Sequence, residues 1–479
     1  MLKKILRFWD LILLFVLSFF TRFWHLSYPG KVVFDEAHFG LYATKYLSHQ
    51  YYFDIHPPLG KILLALFGFL GGLKPGFGFE ADSSYGNLNF LYLRFLPALL
   101  GSLLIVLVYF FVKEIGFSRK VAFFASFLLL FDNALIVQSR FILLDVVLLF
   151  FIFLSFYLFV LTKRFSFPSF KWYLLNILTA LSLGAAISIK WTGFGILGIL
   201  WFLSIFEDKI FSSLKKENLI KIGLIFFLPL LIYFLIFTLH FNLLSTSCTK
   251  DCGYVLNENL ENPKLNYFNT PPAGNLISRF FEVNKLMLAS NLSSTLSFYY
   301  QSYWYGWPFM IRPIKYFEEV GADKNSYIYF FGNPFVWWLG VAGILGYLYL
   351  IIKNYFLKFK LRLPKSFYSP GCRFLILGFI FYLIPFAAIE RFMLMYHYLP
   401  ALVFSVILLS VFLEGILEML FGFEKEDKLF FSNKKANFIF FGILFLVFVG
   451  FLFFSPLTYG FPLTQGAFWQ RMWFNIWSF

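Results

Sequence analysis

Runs of about twenty mostly apolar residues recur along the whole chain, with short polar segments between them. A helix of that length crosses the hydrocarbon core of a bilayer, which is about 30 Å thick. Of all residues, 60% are hydrophobic and only 14% are charged, which is more apolar surface than a soluble fold can bury. We therefore predict an all-α polytopic membrane protein with about eleven spans. The predicted spans are 8–27, 89–112, 119–137, 141–162, 172–189, 191–206, 219–241, 333–352, 371–389, 394–420 and 436–456.

The distribution of positive charge predicts the orientation in the membrane. Lys and Arg cluster in alternate short connections, such as 163–171 and 353–370, which is typical of cytoplasmic loops. The N-terminus is then cytoplasmic and the C-terminus outside. A net charge of +15 can also indicate nucleic-acid binding, but this placement argues against a nucleic-acid partner. The start of the chain resembles a signal peptide, yet no small-residue cleavage site follows, so we expect an uncleaved first helix.

Two long segments, 28–88 and 242–332, face outward on this topology. They divide the chain into an N-terminal transmembrane part, 1–241, which contains the first long loop, then the second long loop, then a C-terminal part, 333–479. This last part has four spans and an outer tail. Segment 283–300 is predicted to form a helix along the membrane surface.

The cysteines give little information about function. Cys248 and Cys252 are four residues apart in the second long loop, and Cys372 lies at an inner helix end. An outer compartment permits a disulfide between the first two, and two free thiols are the alternative. Two Cys without a nearby His do not indicate a zinc site.

The first long loop carries two adjacent carboxylates, Asp35 and Glu36, in FDEAHFG, and HPPLGK follows at His56–Lys61. Charged residues next to lipid are costly and often functional, which favours a catalytic loop. The alternative is an interfacial helix cap with a flanking acid. Adjacent residues do not face the same way, so the two acids are expected to divide roles. His56 precedes two prolines and could instead be structural.

Several cations lie at the outer helix ends, against the general trend of positive charge. They are Arg22, Arg94, Arg140, Lys190 and Arg391. Arg offers a fork of donors that matches phosphate oxygens, and Lys a compact charge, so the set suits an anionic lipid headgroup. Each one alone could instead snorkel or pair with a carboxylate; for Arg140, Asp145 lies five residues further on.

Several strings, in order along the chain, resemble the protein O-mannosyltransferase family of glycosyltransferase superfamily C. The strings are FDEAHFG, YYFDIHPPLGK, QSRFILLDVVLLFF, AISIKWTGF, SFYYQSYWYGWPFMIRPIKYF, IYFFGNPFVWWLG, RFMLMYHYLPAL and the closing LTYGFPLT with RMWFNIW. Eukaryotic members carry a β-trefoil MIR domain in the second long loop. About ninety residues here leave no room for it, which resembles the bacterial members and implies a bacterial cell membrane.

The resemblance implies transfer of mannose from polyprenyl-phosphate mannose to Ser or Thr of proteins on the outer face, with inversion. Asp35 is then the base and Glu36 the alternate base or positioning partner. The expected phosphate ligands are Arg94, Arg140, Lys190 and Arg391. Supporting roles fall to Arg22, His56, Lys61, Asp145, His397 and Tyr398. An acceptor path could be lined by Tyr303, Trp304 and Trp307, which could equally be interfacial anchors.

No metal cofactor is expected, because cations of the chain can meet the charge of the phosphate. Asp35 and Glu36 could hold Mg²⁺ or Mn²⁺ as hard oxygen ligands, which we favour less. The expected partners are the lipid donor, secreted or membrane protein acceptors, the bilayer and the protein-export machinery.

Other functions remain as alternatives at this stage. Another superfamily C transferase would move a different sugar or use a lipid acceptor. A transporter or flippase would place its charges near the bilayer midplane. Here the charges concentrate at one face, and apart from Asp132 the middles of the spans are nearly free of ionisable residues, which favours surface chemistry. A purely structural scaffold explains the charged loops least well.

Overall fold

The computed structural model describes residues 8–206, 215–248, 270–292, 298–357, 361–422 and 429–477. These ranges are mainly helical and contain one two-stranded antiparallel hairpin. The helices, numbered α1 to α17, are Trp9–Phe23, Glu36–Leu47, Leu59–Leu70, Leu91–Glu114, Arg119–Leu130, Asn133–Arg140, Asp145–Thr162, Phe170–Ile189, Phe194–Phe206, Lys216–Ile222, Leu228–Leu243, Leu276–Leu292, Pro334–Phe356, Pro370–Leu383, Leu399–Phe421, Lys434–Tyr459 and Gln465–Trp469. The strands are β1, Ile314–Glu319, and β2, Ser326–Phe330.

Every predicted span coincides with a helix or a helix pair. Eight helical segments of the described chain are long and apolar enough to cross a membrane, and α5 with α6 makes a ninth if this bent pair is one span. The helices of the other two spans, α1 and the Trp191–Phe206 segment, are shorter. The chain is therefore a multi-pass membrane protein, and the prediction of eleven spans is consistent with this set.

Helix starts are set locally by capping side chains. The hydroxyls of Ser118, Ser169 and Ser369 each accept a hydrogen bond from the backbone N–H three residues further on. Such a bond satisfies one of the four N–H groups that a helix start leaves without a partner. These caps explain why α5, α8 and α14 begin close to the predicted positions.

The third predicted span is broken between α5 and α6, which meet at an angle of 61°. Asp132 lies at the break with its side chain fully buried. One of its oxygens accepts from the Leu135 N–H (2.9 Å), and the other accepts from the Asn333 N–H (3.0 Å) and the Trp337 indole (2.8 Å). The carboxylate therefore caps α6 and joins it to the start of α13. This explains the charge inside a span, since broken helices need such partners in lipid.

The second long loop differs from the prediction in two places. First, strands β1 and β2 form a hairpin in a region where the sequence predicts no strand. Its register is irregular between Lys315 and Phe317. The hairpin packs on α6 and α16. The surface helix α12 begins seven residues before the predicted 283–300, and part of that range, 293–297, lies outside the described residues.

Of the cysteines, Cys248 is disulfide-bonded and Cys372 is a buried free thiol. Cys252, the disulfide partner that the sequence suggests, lies outside the described residues. The free-thiol alternative is therefore excluded for Cys248.

Candidate active site

A cavity of about 420 Å³ opens among the C-terminal end of α8, α9, α12, α14 and the turn before α15. Its polar lining residues are His56, Lys190, Thr192, Asn291, Arg391 and His397. Its apolar and aromatic wall includes Phe194, Phe381, Tyr382, Pro385, Phe386 and Ile389. This size, with a few polar groups in an apolar wall, is typical of a small-molecule site. Two of the five cations expected at the site, Lys190 and Arg391, line the same cavity.

Lys190 follows the last residue of α8 and is almost fully buried. Its ammonium donates to Asp145 Oδ1 (2.8 Å) and lies 5.2 Å from the ring centre of Tyr396. Asp145 opens α7, and its second oxygen accepts from the Gln138 amide (2.8 Å). Asp145 therefore pairs with Lys190, rather than with Arg140. An ammonium has three N–H donors, so one bond to Asp145 leaves capacity for an anion in the cavity.

Asp35 is half-buried just before α2. Burial raises the pKa of its carboxyl to about 6, while the charges of His38 and Lys190 act in the opposite direction. A base with a pKa near neutrality combines a mostly ionised state with useful basicity. The preceding residue, Phe34, has φ of +49°, in the left-handed region that a bulky side chain rarely adopts. Such strain is common where the surroundings hold a functional residue in place.

Glu36 is fully buried, and its carboxylate has no capacity left for catalysis. Two parallel hydrogen bonds join it to the Arg94 guanidinium (2.8 and 2.9 Å). It also accepts from the Tyr85 hydroxyl (2.8 Å) and from the N–H groups of Val33 (2.9 Å) and Ile142 (3.0 Å). The expected role of Glu36 as alternate base is therefore wrong, and its role is structural. Glu36 is next to Asp35 in sequence, but its side chain is buried inside the protein.

Arg94 cannot bind a donor phosphate in this structure, contrary to the expectation from sequence. Besides its two bonds to Glu36, it donates to the carbonyls of Leu26 (3.1 Å), Pro29 (2.9 Å) and Lys31 (3.2 Å). A guanidinium has five N–H donors, so all of them are used. Arg94 instead holds the backbone that leads to Asp35.

Arg140 departs from the expected role as a phosphate ligand, whereas Arg22 was expected only in a supporting role; both are buried and donate to backbone carbonyls. Arg140 binds the carbonyls of Arg22 (3.2 Å), Trp24 and His25 (2.7 Å) at the end of α1. Arg22 binds the carbonyl of Leu130 (3.0 Å) at the end of α5. Neither lines the cavity. Arg94 and Arg140 thus both bind backbone carbonyls of segment 22–31, and we call this pair of arginines the clamp on that segment.

The HPPLGK string places His56 at the cavity wall. Lys61 pairs with Asp54 and donates to the carbonyl of His56 (2.6 Å), so it holds this turn in place. Burial, with the charges of Lys190, Arg391 and Lys61, keeps the pKa of His56 well below its ordinary value. His56 is therefore a neutral hydrogen-bonding group and adds no third cation.

His397 lines the cavity, and Trp307 packs behind it. Nδ1 of His397 donates to the carbonyl of Leu394 (2.8 Å), which can only accept, so in the neutral ring Nε2 carries the lone pair. Trp307 stacks on this ring at 5.8 Å, is fully buried and donates to Ser302 (3.0 Å). Trp307 therefore supports His397, and the expected acceptor-path role does not fit its burial.

The remaining aromatic candidates lie away from the cavity. Tyr398 is fully buried against Trp337, at 5.1 Å, and is not part of the cavity wall. Tyr303 is exposed and stacks on Tyr305 at 5.5 Å, and Trp304 is half-buried beside them. These two surface positions suit the interfacial alternative as well as an acceptor path.

Sequence reasoning missed several residues of the site. Gln138 orients Asp145, Tyr396 lies against Lys190, and Asn291 of α12 reaches both the cavity and the carbonyl of Ile55 (3.2 Å). The string QSRFILLD contains Gln138 and Asp145, so that string could have indicated the first. The string RFMLMYHYLPAL likewise contains Tyr396, whereas Asn291 carries no signal before the helices are placed.

The two acids considered as alternative metal ligands differ in their surroundings, since Asp35 is half-buried and Glu36 is fully buried and paired with Arg94. Among the described residues, no group of three or more His, Cys, Asp or Glu side chains is arranged to hold a metal ion. A cation shared by Asp35 and Glu36 would have to displace the Arg94 guanidinium from Glu36.

Two families match consecutive parts of the chain. Residues 12–245 match the family described as dolichyl-phosphate-mannose-protein mannosyltransferase. Residues 276–477 match the C-terminal four-span region of protein-O-mannosyltransferase. The two matches together cover the cavity, the first long loop and the hairpin.

Individual proteins give the same result. Dolichyl-phosphate-mannose–protein mannosyltransferase 6 of Saccharomyces cerevisiae is 37% identical over 262 residues, which is 52% of this chain and 34% of that protein. The chain spans about a third of the length of the curated relatives it matches. The S. cerevisiae protein O-mannosyltransferase Pmt1-Pmt2 complex bound to the sugar donor superposes with a TM-score of 0.83 at 20% identity, covering 98% of this chain and 92% of that one. The archaeal oligosaccharyltransferase AglB of Archaeoglobus fulgidus superposes with a TM-score of 0.56 at 15% identity, covering 97% and 57%.

Proposed function

We propose that this chain, which belongs to the protein O-mannosyltransferase family and has the fold of glycosyltransferase superfamily C, transfers mannose from polyprenyl-phosphate mannose to Ser and Thr hydroxyls of proteins. The observation that carries the proposal is the cavity itself. It combines two cations, Lys190 and Arg391, with an apolar wall. Asp35 is not one of its lining residues, but the charge of Lys190 acts on the pKa of the Asp35 carboxyl. An anionic lipid-linked sugar and a hydroxyl acceptor need these three features.

Asp35 removes the proton of the acceptor hydroxyl as the oxygen attacks the anomeric carbon. A Ser hydroxyl is a weak nucleophile without such a base. Lys190 and Arg391 stabilise the negative charge that grows on the departing phosphate. The bond to the acceptor oxygen forms as the bond to the phosphate oxygen breaks, so one displacement inverts the anomeric centre. Glu36 cannot serve as a second carboxylate, because it is held by Arg94.

The apolar wall of the cavity suits the first isoprene units of the donor lipid. Phe194 of α9, Phe381 of α14 and Pro385, just beyond the end of α14, lie on this wall. The last two belong to one candidate membrane span, Pro370–Ala388. His56 and His397, on the polar side, can bind sugar hydroxyls. Positive charge in alternate loops supports an orientation with the N-terminus in the cytoplasm and the cavity outside. The proposed location is a bacterial cell membrane, because the second long loop has no room for the MIR domain of the eukaryotic members. Acceptors would then reach the site as they leave the export machinery.

The direct test is transfer by the purified protein in detergent. Polyprenyl-phosphate mannose and a Ser/Thr-rich peptide are supplied, and the mass of the peptide is followed. A gain of one hexose supports the proposal. Unchanged peptide from a preparation that still binds the lipid phosphate would contradict it and favour another acceptor, another sugar or a flippase.

Replacing Lys190 by Gln should raise the KM for the lipid donor about 10- to 100-fold, the range for losing a hydrogen bond to a charged group. Gln retains a donor for Asp145 and removes only the charge. Arg391→Gln should act in the same direction, and the KM for the peptide should stay unchanged. Lys324→Gln, at an exposed hairpin turn, is the matched control. An unaltered donor KM in both site variants would remove these residues as phosphate ligands.

The activity should fall on the acidic side with an apparent pKa of about 6. Only the ionised Asp35 can accept a proton, and burial raises its pKa above the ordinary value. The active form is therefore present above about pH 6, and kcat/KM for the peptide should drop about tenfold per pH unit below it. Samples returned to neutral pH control for denaturation. An acidic limb near pH 4 would point to an unshifted carboxyl.

Chelation should leave the rate unchanged, because Lys190 and Arg391 supply the positive charge at the phosphate. The rate is measured before and after dialysis against EDTA. Loss of activity that Mn²⁺ or Mg²⁺ restores would show that a metal takes part.

A further inference from the structure

Tyr316 of strand β1 reaches from the hairpin into the site. Its side chain is buried, and its hydroxyl donates to Gln138 Oε1 (2.7 Å) at the end of α6. Burial raises the pKa of this phenol well above its ordinary value, so the hydroxyl stays protonated and remains a donor. The contact joins two elements 178 residues apart in sequence.

The Gln138 amide connects Tyr316 to Asp145 and, through Asp145, to Lys190 in the cavity wall. Its Nε2 donates to Asp145 Oδ2 (2.8 Å), and Asp145 Oδ1 accepts from Lys190 (2.8 Å). A carboxylate only accepts, so the amide must present its nitrogen to Asp145 and its oxygen to Tyr316. Donation thus runs from Tyr316 to Gln138 and from Gln138 to Asp145, and Lys190 donates to the same carboxylate from the other side. Each contact restricts the position of the next side chain.

The ring of Tyr316 makes a second connection, to the other half of the site. It stacks on Phe34 with ring centres 4.3 Å apart and planes 11° from parallel. Phe34 directly precedes Asp35 and has the strained backbone angle noted above. Residues in such conformations persist only when their surroundings hold them. The stacked ring is one of these surroundings.

We propose that Tyr316 is a positioning residue that sets the place of Lys190 through Gln138 and Asp145, and the place of Asp35 through Phe34. The hairpin of the second long loop is then an integral part of the site, although it lines none of the cavity. The inference rests on the proposed function for the identity of the substrates. The two connections use different parts of one side chain, so they can be separated by substitution.

Tyr316→Phe removes only the hydroxyl and keeps the stacked ring. It should raise the donor KM about 3- to 10-fold, the range for one neutral hydrogen bond, with kcat and the acidic limb of the pH profile unchanged. Tyr316→Leu also removes the ring, so it should lower kcat and shift the acidic limb as well. Tyr327→Phe, on the other strand of the hairpin, is the matched control, since its hydroxyl bonds only to Asn325 (2.8 Å) among the described contacts.

A double-mutant cycle tests whether the effect runs through Gln138. In a Gln138→Met background the hydroxyl has no amide to bind, so Tyr316→Phe should change the donor KM no further. Full additivity of the two effects would overturn the connection to Lys190. A kcat that falls in step with thermal stability while both KM values stay constant would overturn the positioning role altogether.

Binding of polyprenyl phosphate without sugar separates this inference from the proposed function. Tyr316→Phe should weaken that binding by the same factor as it raises the donor KM. If wild type binds the lipid phosphate, Tyr316→Phe weakens it and neither transfers mannose, the proposed function fails and the connection to Lys190 stands. If wild type transfers mannose and Tyr316→Phe matches it in KM and binding, the inference fails alone.

Discussion

Replacing Asp35 with Asn should lower kcat about 10²- to 10⁴-fold, the usual contribution of a general base. Asn has nearly the same shape but cannot take the proton of the acceptor hydroxyl. The side chain of Asp35 makes no capping hydrogen bond to α2, so the loop should keep its structure. Thermal stability and the affinity for polyprenyl phosphate should therefore remain close to wild type. Turnover is measured from the mass shift of the acceptor peptide.

Asp323→Asn is the matched control for this substitution. It makes the same chemical change at an exposed turn of the hairpin, so it should leave turnover unchanged. A near-normal rate for Asp35→Asn would remove Asp35 as the base. A lost rate with unchanged stability and lipid binding identifies the chemical step as the one affected.

Glu36→Gln, the same change one residue further on, should instead destabilise the protein, by about 3–5 kcal/mol. The buried guanidinium of Arg94 would lose its counter-charge, and an amide cannot replace both of its carboxylate bonds while still accepting from Tyr85, Val33 and Ile142. The measurement is denaturation of the detergent-solubilised protein, followed by tryptophan fluorescence. Turnover per folded molecule should stay within a few-fold of wild type.

The two neighbouring substitutions thus have opposite signatures, and together they decide which acid is the base. If Glu36→Gln kept wild-type stability and lost turnover, Glu36 would have to be available to substrate, and its pairing with Arg94 could not persist in the working enzyme. Arg94→Gln provides a further check, since it removes the other partner and should destabilise the protein to a similar extent.

The helices could be predicted from sequence because their causes are local. Twenty-residue apolar runs and capping residues such as Ser118 and Ser169 act within one element. The hairpin could not be predicted in this way. Its strands, IKYFEE and SYIYF, are short, and the aromatic residues around them do not distinguish a strand from a helix or a loop. Their pairing depends on packing against α6 and α16, which are distant in sequence.

The site could be predicted in part for the same reason. The strings around His56, Lys190 and Arg391 drew attention to residues that line one cavity, and the string around Asp35 to a carboxyl on which the charge of Lys190 acts. The same reasoning overestimated Arg94 and Arg140, because their partners are backbone carbonyls. Every residue has a backbone carbonyl. No sequence pattern therefore distinguishes an arginine that binds several carbonyls from one that is free to bind a phosphate.

The clamp on segment 22–31 has a consequence for how this protein can diverge. Arg94 and Arg140 hold the approach to Asp35 through carbonyl oxygens of five residues between Trp24 and Lys31 and of Arg22. A substitution in that stretch changes a side chain and leaves the oxygen where it was. Substitutions there therefore keep the contacts that Arg94 and Arg140 make, whereas these two arginines cannot change without losing them. Arg22 is constrained separately, since its own side chain donates to the Leu130 carbonyl.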